Sequence, residues 1–321
     1  MIDIAERFQK TAVNPGEFSL IWLGQAGFMI KNSAGKTAAV DPYLSDAVER
    51  ICGLKRLMMP VMEPEELNPD VILITHHDED HLDMDILPGI LARNPKTKLL
   101  APERAYSMCR KAGIPEKQLV HFDQGEKVSL DGFDAEAVFA DHGDHAPDAV
   151  GILLTTEGRT VYFSGDTSFQ CDRMKYAASK NIDVLILPIN GQYGNMNSFE
   201  AADLAKMVGA KLTIPSHFWT FIRHGGDPYA FDLQMRAEAP ELPYYFMCQG
   251  EIITWNGEWG AARSEQADFT GFVFSALLFI REGKYRGGWR SAADRRRCAN
   301  VPGARSLHGR LYPSFAQGWR K

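Results

Sequence analysis

One short segment of the chain is rich in side chains that bind metal ions. After an apolar run at residues 71–74, six consecutive residues provide three histidines and three acids, which are His76, His77, Asp78, Glu79, Asp80 and His81. Imidazole and carboxylate groups are the ligands that suit Zn²⁺, Mn²⁺ and Fe²⁺. A solvated polar loop would not need so many of them in so short a stretch. The segment therefore predicts a metal site at the end of a strand.

Later positions add ligands of the same kinds, each after another β-rich run. His142 and His145 lie in DHGDHAPD, Asp166 lies in SGDT, and His217 lies in IPSH. A single histidine at a strand end is more often a surface or core residue, and Gly-Asp-Thr is often only a turn. Because sites in layered folds form where strand ends meet, these positions together predict one shared site.

Short runs rich in β-branched and aromatic residues predict the strands that position these ligands. The runs are FSLIWLG, GFMI, KTAAVDP, DVILITH, TKLLAP, AEAVFA, VGILLTT, TVYFSGD, DVLILPI, KLTIPSH and YYFMC. Helical periodicity predicts helices at residues 84–93, 103–112, 172–180, 197–208 and 228–239, with Asn197 and Glu200 as a capping box. Because VILIT and VLILPI are apolar on both faces, helices must cover one face of each sheet and a second sheet the other. These patterns predict an α+β fold of four layers, an αβ/βα sandwich.

The composition excludes several classes of protein. The 321 residues carry a formal net charge of −6, which argues against a general nucleic-acid binder because such proteins need clustered Lys and Arg. Five cysteines without a C-x-x-C pair favour neither a disulfide framework nor a thiolate zinc site. The longest apolar stretch, GFVFSALLFI at residues 271–280, is about half the length of a bilayer span. We expect a cytoplasmic protein without a membrane span and leave homo-oligomerisation open.

The composition changes near residue 257. Residues 257–321 contain 12 Lys and Arg against 5 Asp and Glu, a charge of +7, which leaves −13 for the first 256 residues. The segment has no clear period and is rich in Gly, Arg and Ser. We predict a folded domain over residues 1–256 and a poorly ordered basic tail over residues 257–321.

The ordered set of ligands resembles the signature of the metallo-β-lactamase superfamily. That signature is a His-x-His-x-Asp-His loop, a later His, the Asp of a Gly-Asp-Thr/Ser turn and a last His, matching residues 76–81, 142, 166 and 217. Within the superfamily, PGEF, WLGQAG, VDP, SGD, the YGN loop and IPSH resemble the L-ascorbate-6-phosphate lactonase family. The likeness covers roughly residues 14–255. It implies a hydrolase domain over residues 1–256 with the metallo-β-lactamase fold.

The resemblance also implies two divalent metal ions. The implied ligands are His76, Asp78 and His142 for one ion, Asp80, His81 and His217 for the other, and Asp166 as a bridge between them. Asp41, in the sequence AVDP, would orient the metal loop from behind the ligands. Asp80 would also accept a proton during attack on the substrate.

One residue departs from the signature. Asp78 stands where the signature has its second histidine, although His77 is adjacent. Side chains alternate along an extended loop, so we favour Asp78 as the ligand and expect His77 to point away. The choice between them stays open, as does that between His142 and His145. An extra carboxylate favours Mn²⁺ or Fe²⁺ relative to Zn²⁺, and the identity of the metal stays open too.

The resemblance predicts a small-molecule substrate, the lactone of a sugar acid or sugar-acid phosphate, which a metal-bridging hydroxide would open. No G-x-S-x-G or Walker sequence competes for the chemistry. One alternative is a phosphodiesterase resembling N-acyl-phosphatidylethanolamine phospholipase D, whose His-Phe/Trp-x-Thr-Phe pattern recurs at residues 217–221. The other is a non-catalytic metal-binding protein.

The residues predicted to line the pocket are Gln25, Tyr193, Asn195, Asn197, Trp219, Arg223 and His224, with Arg223 and His224 as cations for a phosphate.

Overall fold

The computed structural model describes residues 3–258 in full and the backbone of residues 263–265. The α-helices of this part are α1 (Ile4–Lys10), α2 (Ala47–Cys52), α3 (Leu87–Arg93), α4 (Glu103–Lys111), α5 (Cys171–Ala178), α6 (Ser198–Val208) and α7 (Pro228–Glu238). The strands are β1 (Phe18–Gly24), β2 (Gly27–Asn32), β3 (Thr37–Val40), β4 (Val71–Leu73), β5 (Lys98–Ala101), β6 (Leu119–His121), β7 (Lys127–Leu130), β8 (Phe133–Phe139), β9 (Val150–Thr156), β10 (Arg159–Phe163), β11 (Val184–Pro188), β12 (Leu212–Ser216), β13 (Ile252–Trp255) and β14 (Arg263–Glu265). Short 3₁₀ helices lie at Pro64–Glu66 and Glu116–Gln118.

The strands form two mixed sheets. One sheet has eight strands in the order β14-β13-β1-β2-β3-β4-β5-β6, and the other has six in the order β12-β11-β10-β9-β8-β7. Strands β3 to β6 are parallel neighbours in the first sheet, and β10 to β12 are parallel neighbours in the second. Because the carboxyl ends of parallel strands lie at one edge of a sheet, the loops that follow them are brought together.

Strand β1 shows how both faces of a sheet are covered. All of its seven residues are buried. Phe18, Leu20 and Trp22 belong to a core shared with the six-stranded sheet, whereas Ile21 and Leu23 belong to a second core. Side chains of a strand alternate between its faces, so β1 lies between two apolar layers. Helices α1, α3 and α4 contribute to the second core, and α5, α6 and α7 contribute to the first. The predicted four-layer αβ/βα sandwich is confirmed.

The predicted helices are all present, with slightly different ends. The capping box is also confirmed, because the Asn197 side chain accepts hydrogen bonds from the backbone N–H groups of Phe199 and Glu200 at the start of α6. The predicted strand YYFMC is wrong, since Tyr244 forms only an isolated bridge with Thr213. Its aromatic residues pack on a helix instead of joining a sheet. The rings of Tyr244 and Phe246 lie edge-on to Phe231 of α7, with centroids 5.8 and 5.9 Å away.

Strand β14 extends the first sheet past the predicted domain boundary at residue 256. It pairs antiparallel with β13, with Thr254 opposite Arg263 and Ile252 opposite Glu265. Strand β13 pairs in turn with β1. The rest of the predicted tail, at residues 259–262 and 266–321, lies outside the described residues, and so does the apolar stretch at residues 271–280.

Candidate metal centre

The predicted ligands converge at the edge of the sandwich where strands of both sheets end. Each ligand lies within a few residues of the end of a strand, with Asp41 after β3, residues 76–81 after β4, His142 after β8, Asp166 after β10 and His217 after β12. Four of these strands, β3, β4, β10 and β12, run parallel to a neighbour in their own sheet, so the ends of β3 and β4 share one edge and those of β10 and β12 share another. The sandwich thus places ligands from distant parts of the sequence in one centre.

One half of the centre consists of His76, Asp78 and His142. The Oδ2 atom of Asp78 lies 3.4 Å from Nε2 of His76 and 3.3 Å from Nε2 of His142. His76 is fully buried, and burial, aided by the charge of His81, lowers the pKa of its imidazole. His76 is therefore neutral near pH 7, which is the form of imidazole that binds metal ions.

The other half consists of Asp80, His81 and His217. The Nε2 atoms of the two histidines are 3.3 Å apart. Oδ2 of Asp80 lies 3.4 Å from Nε2 of His217 and 3.8 Å from Nε2 of His81. All three side chains are buried or nearly so. The three donor atoms therefore face one another in a largely buried space.

Asp166 lies between the two halves. Its Oδ2 atom is 3.2 Å from Nε2 of His217 and 3.5 Å from Nε2 of His81. Together with His76 and His81 it also forms a group whose donor atoms lie within 4.8 Å of one another. The side-chain amide of Asn195 donates a hydrogen bond of 2.6 Å to Oδ2 of Asp166. Asp166 thus has the position that a carboxylate shared by both halves requires.

The charges of the centre call for a cation. Burial alone would lower the pKa of His217, but the carboxylates of Asp166 and Asp80 outweigh it and raise that pKa to about 9. Burial is likewise outweighed at His81, whose pKa these carboxylates and Asp41 raise well above its usual value. Neutral imidazoles cannot balance the negative charge of these buried carboxylates. Without an ion, protons on His81 and His217 supply the positive charge, and divalent ions would supply it in their place.

Two buried atoms of the centre, Nε2 of His76 and Oδ1 of Asp166, have no hydrogen-bond partner among the described residues. Buried polar atoms without partners are rare in folded proteins, because each costs about 1–3 kcal/mol. Imidazole nitrogens and carboxylate oxygens with free lone pairs are also the donors that a divalent ion uses. The residues present therefore fit metal ions.

Hydrogen bonds behind the ligands fix the orientation of two imidazoles. The hydroxyl of Thr75 donates to Oδ2 of Asp41 at 2.6 Å, so its oxygen is free to accept from Nδ1 of His76 at 3.0 Å. Nδ1 of His81 lies 2.8 Å from the same carboxylate oxygen of Asp41. With their protons on Nδ1, both rings present the lone pair of Nε2 to the centre. Asp41 thus contacts the metal loop from behind, where the sequence analysis placed it.

Gln25 and His224 form a polar pair beside Asp80. Nε2 of Gln25 donates to Oδ2 of Asp80 at 2.6 Å and lies 2.9 Å from Nδ1 of His224. His224 is buried, and burial together with the charge of His217 lowers its pKa to about 4. His224 is therefore neutral at pH 7 and cannot be the phosphate-binding cation that the sequence suggested. Its spacing from His217 gave no sign of this burial.

The other predicted pocket residues take different positions. Tyr193, Trp219 and Arg223 are exposed, and the ring of Tyr193 lies 5.1 Å from that of His224. Asn195 is buried against Asp166, and Asn197 caps α6. The structure thus leaves three of these residues accessible to a substrate. Asn195 instead holds a predicted ligand, a role that its place in a loop did not reveal.

His77 and His145 belong to neither half of the centre. Nε2 of His145 is 2.9 Å from Oδ1 of Asp78, on the oxygen that does not face His76 and His142. His77 stacks on His145, with ring centroids 5.5 Å apart. Asp78 and His142, rather than His77 and His145, therefore face the remaining donors.

Backbone strain is concentrated at this site. Six non-glycine residues in the described part of the chain have a positive φ, and five of them lie here: Gln25, Asp41, Tyr193, His217 and Trp219. A non-glycine residue in this region costs about 1–3 kcal/mol and persists only where its surroundings hold it. For example, the backbone N–H of His217 donates to the carbonyl of Gln25 at 3.0 Å. Such strain is typical of functional sites.

The fold and the ligand order have a match among known families. The model of the beta-lactamase superfamily domain matches residues 19–217, which is more than half of the chain. The chain belongs to the metallo-β-lactamase superfamily. The resemblance inferred from residues 76–217 is thereby confirmed. Every candidate ligand of the centre, as well as Asp41, lies within the matched residues.

Several relatives place the chain more narrowly in the superfamily. The probable L-ascorbate-6-phosphate lactonase UlaG of Escherichia coli O127:H6 is 25% identical over 289 residues, covering 75% of this chain and 80% of the relative. A UPF0173 metal-dependent hydrolase of Ligilactobacillus salivarius is 31% identical over 206 residues, covering 63% of this chain and 85% of the relative. The chain is a superfamily member close to the UlaG-like proteins.

Solved structures agree with the fold. Igni18, a metallo hydrolase of Ignicoccus hospitalis, has a TM-score of 0.60 at 23% identity and covers 74% of this chain and 98% of its own. An isothiocyanate hydrolase from Delia radicum gut bacteria has a TM-score of 0.59 at 18% identity, covering 75% of this chain and 100% of its own.

None of the described helices is long and apolar enough to cross a membrane.

Proposed function

We propose that this metal-dependent hydrolase opens the lactone ring of a sugar acid or a sugar-acid phosphate. The observation that carries the proposal is the meeting of two ligand groups, one around Asp78 and one around Asp80, at the carboxylate of Asp166. Such an arrangement suits two divalent ions that share a bridging ligand. The similarity to UlaG supports a lactone as the substrate class.

In this proposal His76, Asp78 and His142 hold one ion, Asp80, His81 and His217 hold the other, and Asp166 bridges them. Ions bound there would polarise the carbonyl under attack and make water more acidic. The carboxylate of Asp78 makes the site harder than one built on imidazoles alone, so we propose Mn²⁺ or Fe²⁺ ahead of Zn²⁺.

The remaining residues receive roles from their positions. Burial opposes ionisation of Asp80, but His81 and His217 outweigh it and hold the pKa of Asp80 far below its usual value. Asp80 is therefore ionised at neutral pH, as a metal ligand must be, and the hydrogen bond from Gln25 fixes its orientation. In this proposal Asp80 also takes up a proton during attack on the substrate. Arg223, which is exposed and directly precedes His224 in the sequence, is the cation for a substrate phosphate in this proposal, whereas the neutral His224 donates or accepts hydrogen bonds.

The test compares substrates on protein reconstituted with Mn²⁺, Fe²⁺ or Zn²⁺. The panel contains a sugar-acid lactone, the same lactone with a terminal phosphate, and bis-(p-nitrophenyl) phosphate. We expect hydrolysis of the lactones and very little of the phosphodiester. Arg223→Ala should raise KM for the phosphorylated lactone and leave KM for the plain lactone unchanged, because only the phosphate would meet the guanidinium.

Variants separate catalysis at this centre from background hydrolysis. His217→Ala should abolish turnover, whereas His121→Ala, a change at a half-buried histidine paired with Glu103, should not. Turnover of the phosphodiester alone would overturn the proposal in favour of a phosphodiesterase. Bound metal without hydrolysis of any substrate would favour a metal-binding protein without catalysis.

A further inference from the structure

Two histidines next to the candidate centre have no role in it. His77 follows the ligand His76, and His145 lies three residues beyond the ligand His142. In each of these two segments it is the histidine that is not a candidate ligand of the centre, and the two segments are far apart in the sequence. The structure nevertheless brings the side chains of His77 and His145 together, with ring centroids 5.5 Å apart.

The carboxylate of Asp78 lies between this pair and the centre. Oδ2 faces His76 and His142, at 3.4 and 3.3 Å. Oδ1 lies 2.9 Å from Nε2 of His145. His77, Asp78 and His145 each offer a donor atom, and these atoms all lie within 4.8 Å of one another. One side chain thus has an inner oxygen and an outer oxygen, each with two imidazoles nearby.

The outer group has an unsatisfied donor atom. Nδ1 of His77 is buried and has no hydrogen-bond partner in the described part of the chain, whereas Oδ1 of Asp78 has its 2.9 Å ion-pair contact with Nε2 of His145. His77 is half-buried, whereas the side chain of His145 is 71% exposed. A ligand that filled the space between them could therefore enter from solvent and satisfy an atom that water does not reach.

We propose that His77, Asp78 and His145 form a separate metal site at the rim, which takes one borderline divalent ion such as Zn²⁺. Two of the three donors are imidazoles, which favour Zn²⁺, Cu²⁺ or Ni²⁺ over Mn²⁺ or Mg²⁺. Tetrahedral Zn²⁺ with bonds of about 2.0–2.2 Å needs donor atoms roughly 3.3 Å apart, which small rotations of the exposed His145 ring can provide. Water would occupy the remaining coordination position.

The shared carboxylate couples the two sites. An ion on Oδ1 withdraws negative charge from Oδ2, the oxygen that the inner ion would use. Filling the rim site therefore weakens the ion held by His76, Asp78 and His142. Excess Zn²⁺ should then lower the rate of hydrolysis. This consequence rests on the proposed function, whereas the existence of the rim site does not.

The first test counts bound Zn²⁺ on the full chain by equilibrium dialysis and elemental analysis. We expect the wild type to bind about one more equivalent per chain than His77→Ala and His145→Ala, because each variant loses a donor of the rim site. His121→Ala is the matched control: His121 lies among Glu103, Asp123 and Glu126 and should change nothing. With Mn²⁺ in place of Zn²⁺, wild type and variants should bind equally.

Unchanged Zn²⁺ binding in both variants would overturn the rim site. Loss of all bound Zn²⁺ in His145→Ala would overturn it too, because the rim would then not be a site separate from the centre. Diffraction from Zn²⁺-soaked crystals at the zinc absorption edge gives an independent answer. We expect an anomalous peak about 2.0–2.2 Å from donor atoms of His77, Asp78 and His145. Its absence while the inner positions are filled contradicts the proposal.

Discussion

Oδ2 of Asp41 lies 2.8 Å from Nδ1 of His81, and both side chains are almost fully buried. The same carboxylate accepts hydrogen bonds from the backbone N–H and the hydroxyl of Thr75. Asp41 has a φ of 44°, a conformation that Asp and Asn tolerate better than most residues. Its position therefore connects the end of β3 to the loop that carries most of the candidate ligands.

Asp41→Asn should weaken metal binding by about 10–100-fold, as is usual when a carboxylate behind a metal-bound histidine is lost. The amide keeps the backbone conformation but removes the negative charge that holds the proton on Nδ1 of His81. Metal affinity measured by competition with a chromophoric chelator checks this. Asp70→Asn is the matched control, because Asp70 also accepts from a backbone N–H, that of Thr37, at the opposite end of β4. Equal affinities in the two variants would contradict the role of Asp41.

Gln25→Ala should lower kcat by about tenfold or more while the bound metal stays the same. Gln25 is not one of the candidate ligands, but its amide restrains Asp80 and contacts His224. The measurement is turnover together with metal content for each preparation. Gln249→Ala serves as a control, because Gln249 donates only to the backbone carbonyls of Leu23 and Met59. A matching loss of metal in Gln25→Ala would show that Gln25 acts on binding rather than on turnover.

Asp78→Ala should remove one inner ion, whereas Asp78→His should retain it and shift the preference from Mn²⁺ toward Zn²⁺. The reason is that alanine offers no donor, and imidazole replaces a hard carboxylate with a softer neutral ligand. Reconstitution of the apo-protein with each metal, followed by metal analysis, gives the answer. With Mn²⁺, which the rim site should not take, loss of an ion in His77→Ala but not in Asp78→Ala would mean that His77, and not Asp78, is the ligand in the loop.

The sequence predicted most of the sandwich because its strands are strongly apolar. Strands β1, β4 and β11 are buried at every position, and all their residues except Ser19 of β1 are apolar or glycine. Strand β7 was missed because it lies at the edge of its sheet, where none of its residues is fully buried. The aromatic run YYFMC has the composition of a strand, but its rings pack on α7.

The convergence of the candidate ligands was easier to predict from the sequence than the surroundings of each side chain. The order of His76, His142 and His217 follows strand ends, which local patterns reveal. The neutrality of His224 and the bond from Asn195 to Asp166 depend instead on how separate loops pack against each other. No local pattern carries that information. The same reason left His142 and His145 equivalent until the fold showed which of them faces His76.

Removal of the chain after Glu265 should leave the fold and metal binding intact, whereas removal after Asn256 should lower stability. The first truncation keeps β14, and the second exposes the edge of β13, whose backbone β14 otherwise pairs. We propose that the folded domain includes this strand, which extends it beyond the boundary at residue 256 predicted from composition. Both truncations retain every candidate ligand, so their metal content should equal that of the full chain.

Thermal unfolding of the metal-loaded forms compares the three proteins. Equal midpoints for both truncations would show that β14 adds nothing, and insolubility of the longer truncation would place part of the core after residue 265.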